Sequence, residues 1–515
     1  MSQPTPFNSH FWKARLDSLF AVLVFGGVVW WLFDAYQAFG DENQQYAKGV
    51  CCGFTDALFD ATLKLERGES VDFSKGYASY LGAEWWRWWN RQPSALLWLS
   101  QVSHLLTGIV VFAWGQFRKR PLVGLLGGVA VLLTPISVYA SLRWDVYALQ
   151  GPLIVLAWML VSSSKGFTAI VPTIGFAGIV WVSAFWSFRE TDNLILLLTH
   201  AALAFGTWIS VLISGKDHNE QSVHRGWSAV IAIGTCAVLL WQIALFWRFS
   251  SPEGMAYYFR EADNPMIEST ITLNASLRWF GYWGYFYWRA FGPALTIAIG
   301  TAVISLMLRK RLSWGLFLGV LIPYLALSWI SKRNFYYPSS LWVLLPLILG
   351  EGVHSVDELS FRRVFCVLGL GVSMWTFQQR LDKVELVGDD QYGGLFQTSD
   401  GHLSLEPTRF WGVEELSTTV QEYLPEHDCT KERIVVLEAN AMIEEVALRL
   451  GQEHPCIQLK RQLHNREQRV LDTVQIWVID PNHTRISTDF LTQQGLVFQT
   501  EVLMDNRFRL ELWSR

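Results

Sequence analysis

Long apolar stretches alternate with short polar ones from the N-terminus to about residue 378. A membrane-crossing helix needs roughly 20 mostly apolar residues. Segments 16–32, 96–114, 122–142, 147–161, 168–186, 194–213, 228–247, 290–308, 314–330, 339–353 and 363–377 come near that length. The pattern predicts about eleven spans; the short members and those bearing Pro or Gly leave roughly ten or twelve open. Three longer polar segments interrupt or follow the series: 33–94, 248–289 and 379–515. In the last of these the period changes. Residues 433–437 (RIVVL) and 474–479 (VQIWVI) read as strands, and 439–450 and 487–494 as helices. Residues 496–503 and 507–513 read as a hairpin around Asp505-Asn506. The fold class is therefore mainly α. A polytopic domain over 1–378 precedes a small α/β domain over 379–515.

Basic residues fix an orientation. With the N-terminus in the cytoplasm, Lys13, Arg15, Arg118, Lys119, Arg120, Lys165, Lys216, Arg225, Arg309, Lys310, Arg311, Arg362 and Arg363 all fall inside. The opposite connections 142–146 and 187–193 carry one basic residue each. An odd number of spans then places all three long polar segments outside. No cleavage pattern follows the first span, which reads as an uncleaved signal anchor.

Composition sharpens this. Only 17% of the residues are charged and 51% are hydrophobic, which excludes a disordered chain and argues against a purely soluble enzyme. A net charge of -4 gives no overall basic field for nucleic acid. The 27 Trp residues suit the membrane–water interface. Of the cysteines, Cys236 and Cys366 sit in spans, Cys51 and Cys52 are adjacent, and Cys429 and Cys456 could pair. No metal-ligand spacing occurs, so the chain offers no clear ligand set for a divalent metal, and the cofactor is left unknown.

Candidate chemistry gathers in the external segments. Asp41 and Glu42 stand just beyond the first span. Residues 53–66 look helical. In 76–90, Tyr77, Leu81, Trp85 and Trp88 share one helix face, as in an interfacial helix. Pro93 opens the approach to the second span. Asp145 reads first as a cap for the fourth span and second as a binding residue, and Tyr336 and Tyr337 equally as site-lining or belt aromatics. Arg91, Arg278, Lys332 and Arg333 read either as anion holders or as side chains snorkelling to the headgroups. His104 faces an apolar span as a structural histidine.

In layout these motifs resemble the GT-C superfamily of membrane glycosyltransferases, in its protein O-mannosyltransferase-like branch that includes the aminoarabinose transferase of lipid A. The resemblance rests on Asp41-Glu42-x-x-x-Tyr46-Ala47 after the first span and Arg91-Gln92-Pro93-Ser94-Ala95-Leu96 before the second. It rests also on Arg143-Trp144-Asp145, on the long segment 248–289, on Lys332-Arg333-Asn334-Phe335-Tyr336-Tyr337-Pro338, and on a closing soluble domain. The chain departs from the family at Gln92, where Lys or Pro is usual, and lacks the Glu that precedes that Lys in metal-holding relatives.

The resemblance implies a polyprenyl-phosphate-linked sugar as donor and a lipid, glycan or protein as acceptor. It implies a bacterial inner membrane, with the active site and C-terminal domain on the extracytoplasmic side. In that reading Asp41 takes the acceptor proton and Glu42 orients it. Arg278, Lys332, Arg333 and Arg91 hold the donor phosphate. Tyr46, Asp145, Tyr336 and Tyr337 line the substrate. The competing expectation is a transporter or lipid-linked sugar flippase. Such proteins place ionisable groups near mid-membrane, whereas here they collect at span ends.

Overall fold

The structure is a computed structural model. It describes residues 9–38, 61–62, 65, 77–89, 93–134, 137, 141, 149–162, 170–186, 191–213, 218–249, 284, 288, 291–328, 339–382, 433–437, 457–460, 473–479, 488–493, 495–504 and 508–514. These divide into two compact units. One draws on Met1–Gln37, Val71–Gly82 and Trp98–Glu406, the other on Ala38–Ser70, Ala83–Leu97 and Pro407–Arg515.

The first unit is helical. Its elements are α1 (Ser9–Ala38), the first turns of α2 (Tyr77–Trp88) and most of α3 (Pro93–Phe117), then α4 (Pro121–Leu132), α5 (Gln150–Val161) and α6 (Ile170–Ala184). They continue with α7 (Thr191–Ile213), α8 (His218–Phe249), α9 (Pro293–Leu308), α10 (Trp314–Leu327), α11 (Ser339–Gly352) and α12 (Leu359–Asp382). Every apolar segment marked in the sequence contains one of these helices. Among the described residues, Arg15–Asp34, Asn193–Ile213 and Gly226–Arg248 are long and apolar enough to cross a membrane, and shorter apolar helices accompany them. Leu23 and Trp30 on α1, Ile233 and Leu240 on α8, and Leu368 on α12 point outward. Rows of large apolar side chains in contact with water would be prohibitive, so these faces require lipid.

Small residues let the helices approach. α4 is the central helix, buried from Gly124 to Leu132. A Cβ on Gly115 of α3 would stand 2.3 Å from the Gly124 Cα, and one on Gly350 of α11 would stand 2.7 Å from the Gly127 Cα. A Cβ on Gly206 of α7 would meet the Trp314 carbonyl oxygen of α10 at 2.3 Å. Such backbone contact is how helices associate where lipid removes the hydrophobic drive between them.

Local chemistry sets the helix ends. Pro121 and Pro293 occupy first-turn positions, where the missing N–H costs nothing. Ser313 caps α10 by accepting from the Leu316 N–H. α4 stops at Leu132, well short of the expected span 122–142, because Pro135 turns the preceding residues away from helical geometry. α8 begins earlier than expected, as its polar first turns carry the helix beyond the apolar stretch.

In the second unit, β1 (Arg433–Leu437), β2 (Ile457–Lys460), β3 (Thr473–Ile479), β4 (Val497–Met504) and β5 (Phe508–Ser514) form one sheet in the order β2-β1-β3-β5-β4. β1 runs parallel to β2 and β3, with Val435 opposite Gln458 and Ile476. β5 is antiparallel to β3 and β4, with Trp513 opposite Ile476 and Phe498. The Phe498 and Trp513 rings meet edge to face at 5.5 Å. α13 (Thr488–Gln493) ends at Gly495, whose φ of 77° closes the helix in a left-handed turn. The expected strands, hairpin and last helix are thus present, and β2 is an addition. The helix expected over 439–450, the Cys429–Cys456 pairing and the Cys51-Cys52 pair lie outside the described residues.

Candidate functional site

All the site residues expected from the sequence lie outside the described residues: Asp41, Glu42, Tyr46, Arg91, Asp145, Arg278, Lys332, Arg333, Tyr336 and Tyr337. What can be built is the helical frame that flanks them.

Its orientation follows from the opposite end. The start of α1, the α3–α4 turn and the α11–α12 turn line a single cavity through Asp17, Arg118, Lys119, Arg120, His354 and Arg362. The α9–α10 turn joins them, since Arg309 and Arg311 pair with Asp357 at 3.0 and 2.6 Å. Four chain segments therefore mark one end of the bundle. Asp17 and Tyr36 are separated by about 28 Å along α1, at 1.5 Å per residue. Within the first unit, the far ends of α4, α9, α10 and α11 consequently lie at the other end. In sequence these ends adjoin the connections that carry Asp145, Arg278 and Lys332–Tyr337.

Contacts at that far end bind the frame. The Tyr77 and Ala78 N–H groups donate to the Phe185 and Trp186 carbonyls at 2.8 and 3.1 Å. The free donors of the α2 N-terminus are thereby satisfied by the end of α6. The Ala184 carbonyl accepts from both Asn193 Nδ2 of α7 and Gln242 Nε2 of α8, each at 2.9 Å. Buried Ser183 and His200 meet at 2.9 Å. The Gly284 backbone hydrogen-bonds the Tyr324 hydroxyl, so Gly284 lies against α10.

The approach to α3 has its own structure. Tyr77, Leu81 and Trp88 are exposed on α2, whereas Ala78, Ala83 and Trp86 are buried. The amphipathic face read from the sequence is therefore present as an outward apolar stripe. In the second unit, Trp85 Nε1 donates to the Ala95 carbonyl at 2.6 Å, closing the short connection that carries Arg91. Glu84 and Arg87 pair at 3.0 Å.

Sequence reasoning missed a polar relay near the end of α1. Ser141 donates to the Tyr36 hydroxyl at 3.0 Å, Tyr36 bonds His104 Nδ1, and His104 Nε2 faces the Val131 carbonyl at 3.5 Å. All three side chains are buried. Burial pushes the Tyr36 phenol well above its usual range, against the opposing effect of the Ser141 hydrogen bond. Tyr36 thus stays protonated and donates to Nδ1, which places the His104 proton on Nε2. This relay fixes the last turns of α1, five residues before Asp41. His104 is structural, in agreement with the sequence reading. Tyr36 carried no signal of its own, because an aromatic at a span end is ordinary. Among the described residues, no cluster of His, Cys, Asp and Glu could hold a metal.

No protein-family model matches the chain, and no curated protein matches it. Solved structures do match, two of ArnT among them. ArnT from Cupriavidus metallidurans bound to undecaprenyl phosphate aligns with a TM-score of 0.51 at 12% identity, covering 95% of this chain and 97% of that one. The apo state of the same protein aligns with a TM-score of 0.53 at the same identity and coverage. The chain therefore has the fold of ArnT along nearly its whole length, at an identity that speaks to fold alone.

Proposed function

We propose that this chain is an integral membrane glycosyltransferase of the GT-C type, with about eleven spans. It moves a sugar from a polyprenyl-phosphate donor to a hydroxyl-bearing acceptor at the extracytoplasmic face. The observation that carries the reading is the full-length fold likeness to a protein solved with undecaprenyl phosphate, in a chain whose sequence carries Asp41-Glu42 shortly after the first helix. The helical first unit is compatible with it, since the ends of α4, α9, α10 and α11 that adjoin Asp145, Arg278 and Lys332–Tyr337 in sequence lie away from the Asp17 end.

In the proposed step the acceptor oxygen attacks the anomeric carbon as the bond from that carbon to the donor phosphate breaks. The acceptor proton passes to the Asp41 carboxylate, and the polyprenyl phosphate leaves with the bonding electrons. Glu42 orients Asp41. Arg278, Lys332, Arg333 and Arg91 hold the phosphate, where fixed cations lower the barrier by meeting the charge that develops on the leaving group. Tyr46, Asp145, Tyr336 and Tyr337 line the sugar and acceptor. Residues 379–515 form an extracytoplasmic domain in this scheme.

The test is sugar transfer in proteoliposomes containing the full chain, an undecaprenyl-phosphate-linked sugar and membrane lipid, read by mass spectrometry of the new glycoside. Asp41→Asn is expected to lower the rate about 10²–10⁴-fold while donor retention is kept. Full activity in that variant overturns the general-base role. Movement of donor across sealed vesicles without a new glycosidic bond overturns the enzyme in favour of a transporter.

A further inference from the structure

At the end of the first unit marked by Asp17 lies a cavity of about 410 Å³. Its charged lining comes from three turns distant in sequence: Asp17, Arg118, Lys119, Arg120, His354 and Arg362. Asp17 is already committed. Arg363 reaches it through Nε at 2.9 Å and through its terminal nitrogen at 2.8 Å. Arg362 gives only its Nε to the Val356 carbonyl. Arg118 lies 5.3 Å over the Trp114 ring. A further carboxylate, Glu351, lies in an adjoining recess that shares Arg118 and Arg120. Among the residues that line the cavity itself, Arg118, Lys119, Arg120 and Arg362 face the single carboxylate of Asp17. The imidazole of His354 registers that surplus: burial and the neighbouring Arg120, Arg362 and Arg311 hold it near 4, against a weaker pull from Asp357.

Two further features bear on a ligand. The adjoining recess is small, about 40 Å³, and of mixed lining, with Trp114, Trp158 and Leu347 beside Arg118, Arg120 and Glu351, so the larger cavity is the one that can admit an anion. Lys119 also holds a φ of 57°. Its N–H bonds the Gln116 carbonyl and the Arg120 N–H bonds the Gly115 carbonyl, a helix-ending motif that favours glycine at this position. Gly495 fills the equivalent place after α13. At Lys119 the fold carries the strain of a side chain in the left-handed region, and that side chain lines the cavity.

We propose that this cavity is a binding site for a phosphate-bearing anion, with Arg118, Lys119, Arg120 and Arg362 contacting the phosphate. A phospholipid headgroup and a soluble phosphate share this chemistry. The site stands independently of the glycosyl-transfer reading.

The test uses the purified full chain in neutral detergent, with phosphatidylglycerol, phosphatidylcholine and inorganic phosphate as probes, read by native mass spectrometry. Arg118→Gln with Arg120→Gln is compared with Arg309→Gln with Lys310→Gln, which removes equal charge outside the cavity. Phosphatidylglycerol retention is expected to fall about tenfold in the first pair and less than about twofold in the second. Displacement of the lipid by inorganic phosphate identifies a free-phosphate site; resistance to it identifies a lipid site. Equal retention of phosphatidylcholine, or equal loss in both pairs, overturns the proposal. Should the first pair fail to fold, Lys119→Gly removes a lining charge while relieving strain. Undiminished retention there overturns the proposal as well.

Discussion

Lys119 and Lys310 are the middle residues of two Arg-Lys-Arg triplets, and both sit in the left-handed region, at φ 57° and 53°. The second triplet ends α9 as the first ends α3: Lys310 N–H to the Met307 carbonyl and Arg311 N–H to the Leu306 carbonyl, each at 2.9 Å. Glycine would relieve about 1–2 kcal/mol of steric cost at either place. It would return about 0.4–1 kcal/mol through the freer unfolded chain. Lys310→Gly is therefore expected to raise stability by about 0.5–1 kcal/mol, read as a higher melting temperature in detergent. The charge of both triplets was plain in the sequence as a topology signal; their shared backbone strain was not, because no residue pattern distinguishes it from an ordinary basic turn. His354 yields a second expectation. Its folded value near 4 lies below the ordinary 6.5, so the unfolded chain binds more protons between those values. Its contribution is intact above 6.5 and is lost as pH falls toward 4. His354→Asn should flatten the acid limb of a stability–pH curve; an unchanged slope would show that other groups control it.

At the scale of elements, close glycine contacts decide which helices neighbour which. Gly115→Ala must push α3 from α4, at a cost of about 1–3 kcal/mol. Because Gly115 also accepts from Arg120, the variant should disturb the turn that holds the cavity cations. Thermal unfolding measures the first effect, and phosphatidylglycerol retention the second. Ser313→Ala removes the α10 cap and should cost about 0.5–2 kcal/mol by the same melt. Much of this level was legible. Apolar runs gave every large helix, and the Tyr and Trp spacing of 76–90 gave the face of α2. The end of α4 was misjudged because the apolar count outweighed Pro135. β2 was missed because Ile457–Lys460 is short and has only a parallel partner, whose pairing leaves no local mark. The β4–β5 hairpin was found because its turn is local.

Over the whole molecule, the candidate site was legible as motifs in sequence order and not as geometry. Asp41, Arg278 and Lys332 belong to separate connections that lie outside the described residues. Among the described residues, ion pairs join Asp17 to Arg363 and Asp357 to Arg309 and Arg311, and Glu84 pairs with Arg87 on α2. The candidate site and the cavity make separable predictions. Asp41→Asn should abolish transfer without altering phosphatidylglycerol retention, whereas Arg118→Gln with Arg120→Gln should do the reverse. Loss of both properties in either variant would mean that the two are coupled or that the fold has failed.

The pair between Asp17 and Arg363 spans 346 positions of sequence and joins the first helix to the last. During synthesis the ribosome delivers α1 long before α12 exists. Until then Asp17, buried in the finished bundle, has no counter-ion from α12. Nascent chains must therefore hold this carboxylate in water, among lipid headgroups or protonated while the intervening helices insert. The pair works as a latch that closes only on a completed chain. Intermediates that stop before α12 should remain open at this end and be preferentially degraded by membrane proteases, and Arg363→Gln should reproduce that short half-life in a full-length protein.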